Sequence, residues 1–384
     1  MSEAVDFRYI GTRPVRPDGL DKVTGRANFG ADYSLPGMLH GRFLRSPHAH
    51  ARIRSLDIEA ALAIPGVQAI VTGKDFPDVE PGDIQGGEGA GDYHDLAVNV
   101  MARDKVLYHG HVVAAVAATT VRAAEQALQA IKVDYDVLQP VLDIDSAMAA
   151  DAPLLHEHLY TQGLPEKPAR ASNVAQVMES SRGDIEAGFA EADVIIEHTY
   201  HTPTVHQGYI EPHACVARWG QDEQSVIWCS TQGGFDVRSM TARVLGLNIS
   251  RLKVIPSEIG GGFGGKTTVY LEPVAIMLSR KSGRPVKLVM TREEVFRASG
   301  PASASKIKLK IGAKKDGRLT AMYAWLGYEA GAFKGSPMAP GVMCVFAPYD
   351  VPAFKAEGYD VLVNKPKVAA YRAPGAPQAL FATE

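Results

Sequence analysis

Residues 259–267 read IGGGFGGKT, five glycines around one phenylalanine, followed by a lysine and a threonine. No other stretch constrains the fold as strongly. Glycine costs conformational entropy and supplies no core side chain, so a run of it stands where the backbone takes positive φ or approaches something closely. The strand-like segment 252–255 precedes the run. A helical pattern over 270–278 follows, with Pro273 tolerable only in the first turn. Gly260, Gly265, Lys266 and Thr267 also satisfy G-x-x-x-x-G-K-[ST], the pattern that cradles phosphate. Two features weigh against that reading. Pro256, Ser257 and Glu258 are a poor end for a buried parallel strand. The strand expected at 286–290 carries no acid to hold magnesium. The loop is thus a phosphate cradle, a tight turn, or backbone that presents Phe263 to a large rigid ligand.

The rest of the chain reads as α+β. With 384 residues, 46% of them hydrophobic, there is material for two or three domains. Residues 1–18 form an irregular arm with Pro14 and Pro17. A first domain spans 19–148. It contains strands within 39–56 and at 67–72, and a buried strand or strand pair over 106–118. A helix follows, through Val121, Ala124, Leu128 and Ile131 behind Thr119 and Thr120 as caps. Val133, Tyr135 and Val137 alternate with aspartates, as in a half-buried strand. The Gly-, Asp- and Glu-rich stretch 78–95 reads as a surface loop. Residues 149–175, including QGLPEKPARASN, read as a linker. A second domain fills 176–384, with strands at 194–200, 225–228 and 286–290 and a helix at 236–245. An antiparallel pair, 307–311 and 319–328, flanks Lys315-Asp316-Gly317.

Several functions are disfavoured. A net charge of −3 offers no basic field for nucleic acid. No apolar run reaches the length of a membrane span, and the first residues lack the pattern of a secretory signal, so a cytoplasmic protein is expected. Cys215, Cys229 and Cys344 are too few and too dispersed for a disulfide framework or an iron–sulfur cluster. Three H-x-H pairs, His48/His50, His109/His111 and His156/His158, raise a zinc hydrolase as a rival, since period two places both imidazoles of a pair on one strand face.

Three segments in order, STQ at 230–232, IGGGFGGK at 259–266 and AYRAPGAPQALFATE at 370–384, resemble the molybdopterin-binding large subunit of the xanthine oxidase family of molybdenum hydroxylases. The segment KVTGRANFGADYSLPGMLHGRFLRSPHAH at 22–50 and VLYHGHVVAAVAATT at 106–120 are similar to that family's α/β hammerhead domain. The resemblance implies a hammerhead domain followed by the first part of a molybdopterin-binding domain of the aldehyde/xanthine oxidase type. It implies a molybdenum–molybdopterin cofactor in its cytosine dinucleotide form. An iron–sulfur subunit with [2Fe-2S] clusters and an FAD subunit would be partners, and a second molybdopterin-binding half-subunit is a further possible one. The reaction would hydroxylate a small molecule at an electron-poor carbon, with water as oxygen source.

Residue roles follow from the same resemblance. Gln232 matches the glutamine whose amide donates to an oxygen on molybdenum. Gly262, Phe263 and Gly264 match the loop that packs on metal and pterin, and Arg372 matches an arginine near the metal. Thr267 and Pro374 fall at substrate-pocket positions, where purine-oxidising members carry glutamate and phenylalanine. Those members also carry an arginine where this chain reads SGPASASK, the nearest here being Arg297. Ala373 and Pro374 replace the cysteine of the carbon-monoxide-oxidising members. A purine or carbon monoxide is therefore disfavoured, leaving an N-heterocycle, an aldehyde or a similar carbon. Family large subunits are about twice as long, and their second half carries the general-base glutamate. The expectation is a fragment, ahead of a split subunit, that is inactive in isolation. An inactive scaffold of the same fold is the alternative.

Overall fold

The computed structural model describes residues 7–84, 91–166, 168–221 and 224–384. The first six residues of the expected arm, the centre of the expected 78–95 loop and Lys167 in the expected linker lie outside them. Among the described residues run fifteen strands. They are β1 (Leu39–Arg45), β2 (Ala51–Asp57), β3 (Val67–Thr72), β4 (Lys105–Val106), β5 (Val112–Ala118), β6 (Lys132–Val137), β7 (Val174–Arg182) and β8 (Val194–Thr202). They continue as β9 (Ala214–Arg218), β10 (Ser225–Cys229), β11 (Leu252–Pro256), β12 (Val286–Val289), β13 (Ser305–Ala313), β14 (Leu319–Gly331) and β15 (Ala353–Leu362).

The largest sheet has the order β11-β10-β9-β12-β1-β5-β3. It draws β1, β3 and β5 from the first half of the chain and the other four strands from beyond residue 213. The seam is a parallel pairing of β1 with β12, Leu39 opposite Val286 and Gly41 opposite Leu288. Gly41 is required there, because a Cβ would run into the Leu288 side chain.

Strand β5, VVAAVAA, is buried at every position. Its alternate residues enter two different cores. Ala115 and Ala117 join the apolar cluster that contains Val274, Ala275 and Leu278 of the helix Glu272–Ser282. Ala114, Val116 and Ala118 join the cluster containing Ala123, Ala124 and Ala127 of the helix Val121–Ala130. A strand covered on both faces reads as an unbroken apolar run. Its alanines let both helices approach closely.

The second sheet has the order β7-β15-β14-β13-β8, and its apolar face carries the helices Met338–Cys344 and Ala376–Thr383. A small third sheet runs β4-β2-β6. The halves are also joined by polar links. Arg45 Nε donates to Glu294 Oε1 at 2.8 Å. The Asn364 amide accepts from Val141 N at 2.9 Å and donates to Leu107 O at 2.9 Å.

Local signals placed many elements. β3 spans 67–72, the short apolar run expected to be a strand, and Thr120 caps the helix Val121–Ala130 by accepting from Ala123 N at 3.1 Å. Pro273 sits in the first turn of its helix. Pro256 does belong to a strand parallel to its neighbour, contrary to the expectation. β11 is the sheet's edge, where a missing donor is tolerated. The stretch 78–95 is not all loop. Asp92 caps a helix, Tyr93–Val100, accepting from His94 N at 2.8 Å and Asp95 N at 3.3 Å.

Candidate functional site

After β11 the glycine run turns through positive φ at Gly261 (102°), Phe263 (54°) and Gly264 (102°). A Cβ on Gly262 would collide with the Gln232 side chain, and one on Gly264 would lie 2.5 Å from the Ala370 carbonyl oxygen. These glycines are fixed by close approach as well as by φ. Phe263, held among them, remains half exposed.

Lys266 is the hub beneath the loop. Its side chain has no accessible surface, and Nζ lies 2.8 Å from Glu211 Oε2 and 4.9 Å from the Tyr209 ring centroid. Burial holds its pKa below the usual lysine range, although Glu211 pulls the other way. Glu211 also accepts from Gly260 N at 2.7 Å and Gly30 N at 3.1 Å. The lysine therefore points into the protein, away from any phosphate the loop could face. The next helix begins at Glu272, five residues past Thr267. Neither feature suits a phosphate cradle, which needs loop N–H groups at a helix N-terminus and a free lysine.

The main chain of Lys266 meanwhile sets Gln232. Gln232 N donates to Lys266 O at 3.0 Å. Gln232 Oε1 accepts from Gly264 N at 2.8 Å and from Lys266 N at 3.2 Å. Two N–H donors on one amide atom identify that atom as the oxygen. The Nε2 group consequently faces away from the loop on an exposed side chain, and among the described residues neither of its N–H groups donates to a partner.

A second segment braces the first. Arg372 N donates to Phe263 O at 3.1 Å. Gln207 Nε2 holds this segment by donating to Ala370 O at 2.8 Å and Gly300 O at 3.0 Å. Phe263, Arg372 (φ 34°) and Ala373 (φ 61°) are the non-glycine residues with positive φ among the described residues, and all three belong to this contact. Such conformations cost about 1–3 kcal/mol each and persist where the surroundings over-determine them.

Beside the two segments lies a cavity of about 710 Å³. Thr267 and Pro374 line it, with Leu96, Met240, Tyr270 and Phe333 among its apolar walls. The structure thus brings Gln232, Gly262, Phe263, Gly264 and Arg372 together and puts Thr267 and Pro374 on the adjacent wall. Sequence reasoning passed over Glu211 and Gln207. They lie 55 and 163 residues from the groups they hold, with no local pattern to mark them.

The histidine pairs do not assemble. His111 is fully buried, its Nδ1 accepting from Leu107 N at 3.2 Å and its Nε2 donating to Val98 O at 2.8 Å. His50 and His156 are bound to main-chain carbonyls of Gln139 and Ala332. Among the described residues the one group with metal-ligand spacing is Asp92, His94 and Asp95, which includes none of the six.

Comparison with known proteins agrees with this architecture. Residues 24–139 match the model of the aldehyde oxidase and xanthine dehydrogenase a/b hammerhead domain, and residues 167–384 match that of the molybdopterin cofactor-binding domain. The chain is 33% identical to the nicotinate dehydrogenase large molybdopterin subunit of Eubacterium barkeri, over 97% of this chain and 84% of that one. It is 31% identical to the xanthine dehydrogenase molybdenum-binding subunit of Escherichia coli O157:H7, over 96% of this chain and 48% of that one. The aldehyde oxidoreductase of Desulfovibrio gigas superposes with a TM-score of 0.85 at 28% identity, covering 96% of this chain and 40% of that structure. The chain spans less than half the length of the last two.

Proposed function

This chain belongs to the family of molybdopterin-binding large subunits of the xanthine dehydrogenase and aldehyde oxidase type, and on that premise we propose that it holds a molybdenum–molybdopterin cofactor for hydroxylation of an N-heterocycle, an aldehyde or a similar electron-poor carbon. One observation carries the reading: the Gln232 amide is locked through its oxygen, so its N–H donors point outward. A neutral donor that cannot titrate suits a fixed oxygen on a metal.

The surrounding residues fit such a group. The glycine backbone leaves a side-chain-free approach, Phe263 beside it is half exposed, and Arg372, tied to Phe263 O through its main chain, lines a neighbouring cavity. When bound, the cofactor supplies the two-electron oxidation and the activation of water-derived oxygen. The protein's part is orientation. Gln232 would fix one donor direction. Phe263, held by the Arg372 main chain, would bar lateral movement. The cavity past Thr267 and Pro374 would admit a flat substrate and exclude bulk water. A threonine and a proline there supply neither the carboxylate nor the ring that purine recognition uses, which supports a substrate other than a purine.

The finer assignments belong to the same proposal. The cofactor is the cytosine dinucleotide form, and iron–sulfur and FAD groups reside on partner subunits. Elemental analysis of the assembly purified from its source tests the core of it. Molybdenum near one per copy with iron in excess supports the reading, and CMP released on acid hydrolysis supports the dinucleotide form. An intact preparation without molybdenum would leave a scaffold of this fold.

A further inference from the structure

The 710 Å³ cavity carries four charged residues on a mainly apolar wall: Asp92, Asp95, Lys334 and Lys367. Three of them are already answered. Asp92 accepts from Gly82 N at 2.9 Å, His94 N at 2.8 Å and Asp95 N at 3.3 Å, and Lys334 Nζ lies 3.8 Å away. Lys367 Nζ donates to Gly335 O at 2.7 Å and Val368 O at 3.3 Å. Behind it, Asp360 accepts from Gly335 N at 2.8 Å and Ser336 N at 2.9 Å. Asp360 is the carboxylate whose field favours the Lys367 charge most.

Asp95 is different. Its side chain is about three-quarters buried, and its carboxyl accepts no hydrogen bond among the described residues. The exposed ring of His94 lies 3.8 Å from it. Burial pushes its pKa up, in spite of the favourable fields of His156 and Lys334. Among the described residues Asp95 is thus answered only through space, by His156, Lys334 and His94, and its own field reaches Lys367. Partial desolvation by the cavity wall makes the charged form of Asp95 costly. A ligand bearing an N–H donor, above all a cationic one, would relieve that cost, whereas a ligand carboxylate would add to it.

We propose that Asp95 is the substrate-recognition group of this cavity, and that the substrate is a flat ring compound presenting a cationic or strongly polarised N–H donor. The inference rests on the hydroxylase reading for its word substrate, but its binding chemistry is tested independently. The ring would lie among Leu96, Met240, Phe333 and Pro374, with the donor on Asp95. The helix Tyr93–Val100 comes from the first half of the chain and Pro374 from its far end, so specificity would be set across the joint between them.

Benzamidine and benzoate are matched probes, one ring with opposite charges. Binding to the assembly as purified is measured by calorimetry, for the parent, Asp95→Asn and Asp95→Glu. The expected result is that benzamidine binds the parent more tightly than benzoate does. Asp95→Asn should weaken benzamidine at least about tenfold, the scale of one charge-assisted hydrogen bond, and Asp95→Glu should retain binding. A crystal soak of the parent supplies a readout independent of variants, with the amidinium expected within hydrogen-bond distance of Asp95. Tighter binding of benzoate, equal benzamidine affinity in Asp95→Asn, or an amidinium placed elsewhere would overturn the proposal. Molybdenum content of the same preparation separates the two readings. A metal-free protein that still binds benzamidine through Asp95 would fail as a hydroxylase and stand as a cation-recognising cavity.

Discussion

Replacing Glu211 by alanine takes the carboxylate away from a buried ammonium. Lys266 has no accessible side-chain surface, its Nζ is 2.8 Å from Glu211, and its other close neighbour is the Tyr209 ring. An uncompensated buried charge costs about 3–5 kcal/mol. The N–H groups of Gly260 and Gly30 lose their acceptor at the same time, for about 1–3 kcal/mol each where water does not replace it. Against a total stability of about 5–15 kcal/mol, the variant should sit near the folding threshold. Denaturant unfolding of the purified assembly gives the number. The companion is Glu211→Gln with Lys266→Met, which keeps a polar acceptor for the two glycines and removes the stranded charge. It should recover at least about 2 kcal/mol of the loss, as coupled neighbours do. A Glu211→Ala protein within about 1 kcal/mol of the parent would refute the reasoning, as would a double variant no better than the alanine variant. Either result would mean that Lys266 finds water or another partner when the carboxylate is gone.

Other consequences can be checked separately. Gln232→Glu keeps an acceptor for Gly264 and Lys266 but removes the outward donor. We predict a fall in kcat of the complete assembly of about 10²-fold, the scale for losing one placed donor, with an unchanged melting temperature; an unaltered kcat would remove Gln232 from the site. Gly264→Ala forces a Cβ at φ 102° to within 2.5 Å of Ala370 O, and should destabilise by more than about 1 kcal/mol in a thermal melt, displacing Arg372 as it does so. His111 gives a pH signature. Its pKa is pushed down to about 4 by burial, so above pH 6.5 it is neutral in folded and unfolded chains alike. Between pH 6.5 and 4 the unfolded chain takes a proton that the folded one refuses, so stability falls with falling pH, by about 2 kcal/mol at pH 5. His111→Gln should flatten that part of the stability profile, and equal slopes for the two proteins would disprove the assignment.

Much of this fold was legible because its signals are local. A six-residue apolar run gave β3, a threonine before a helical period gave the helix Val121–Ala130, and Lys315-Asp316-Gly317 marked the turn between β13 and β14. The strands β7, β9 and β15 were not expected. In β7 the burial is irregular, and β9 is five residues long, so neither carries a clear period. For the site, the glycine run announced tight backbone but not its purpose. The lysine of G-x-x-x-x-G-K-[ST] matched a phosphate pattern, and Glu211, far away in sequence, holds it inward instead. Asp95 read as part of a polar loop, because the capping role of Asp92 becomes apparent only once the helix behind it is seen.

The parallel pairing of β1 with β12 has a consequence for how the protein is made. The partner of Leu39 is Val286, about 250 residues later. At roughly 5–20 residues per second, β1 leaves the ribosome tens of seconds before the strand that completes its sheet exists. Through that interval the first half of the chain carries an unpaired apolar edge, a surface for chaperones or for aggregation. Gly264 and Phe263 wait longer still for Ala370 and Arg372. Any cofactor that uses both segments can therefore be held only after synthesis has passed Arg372, and that order of events is written into the contacts of the loop.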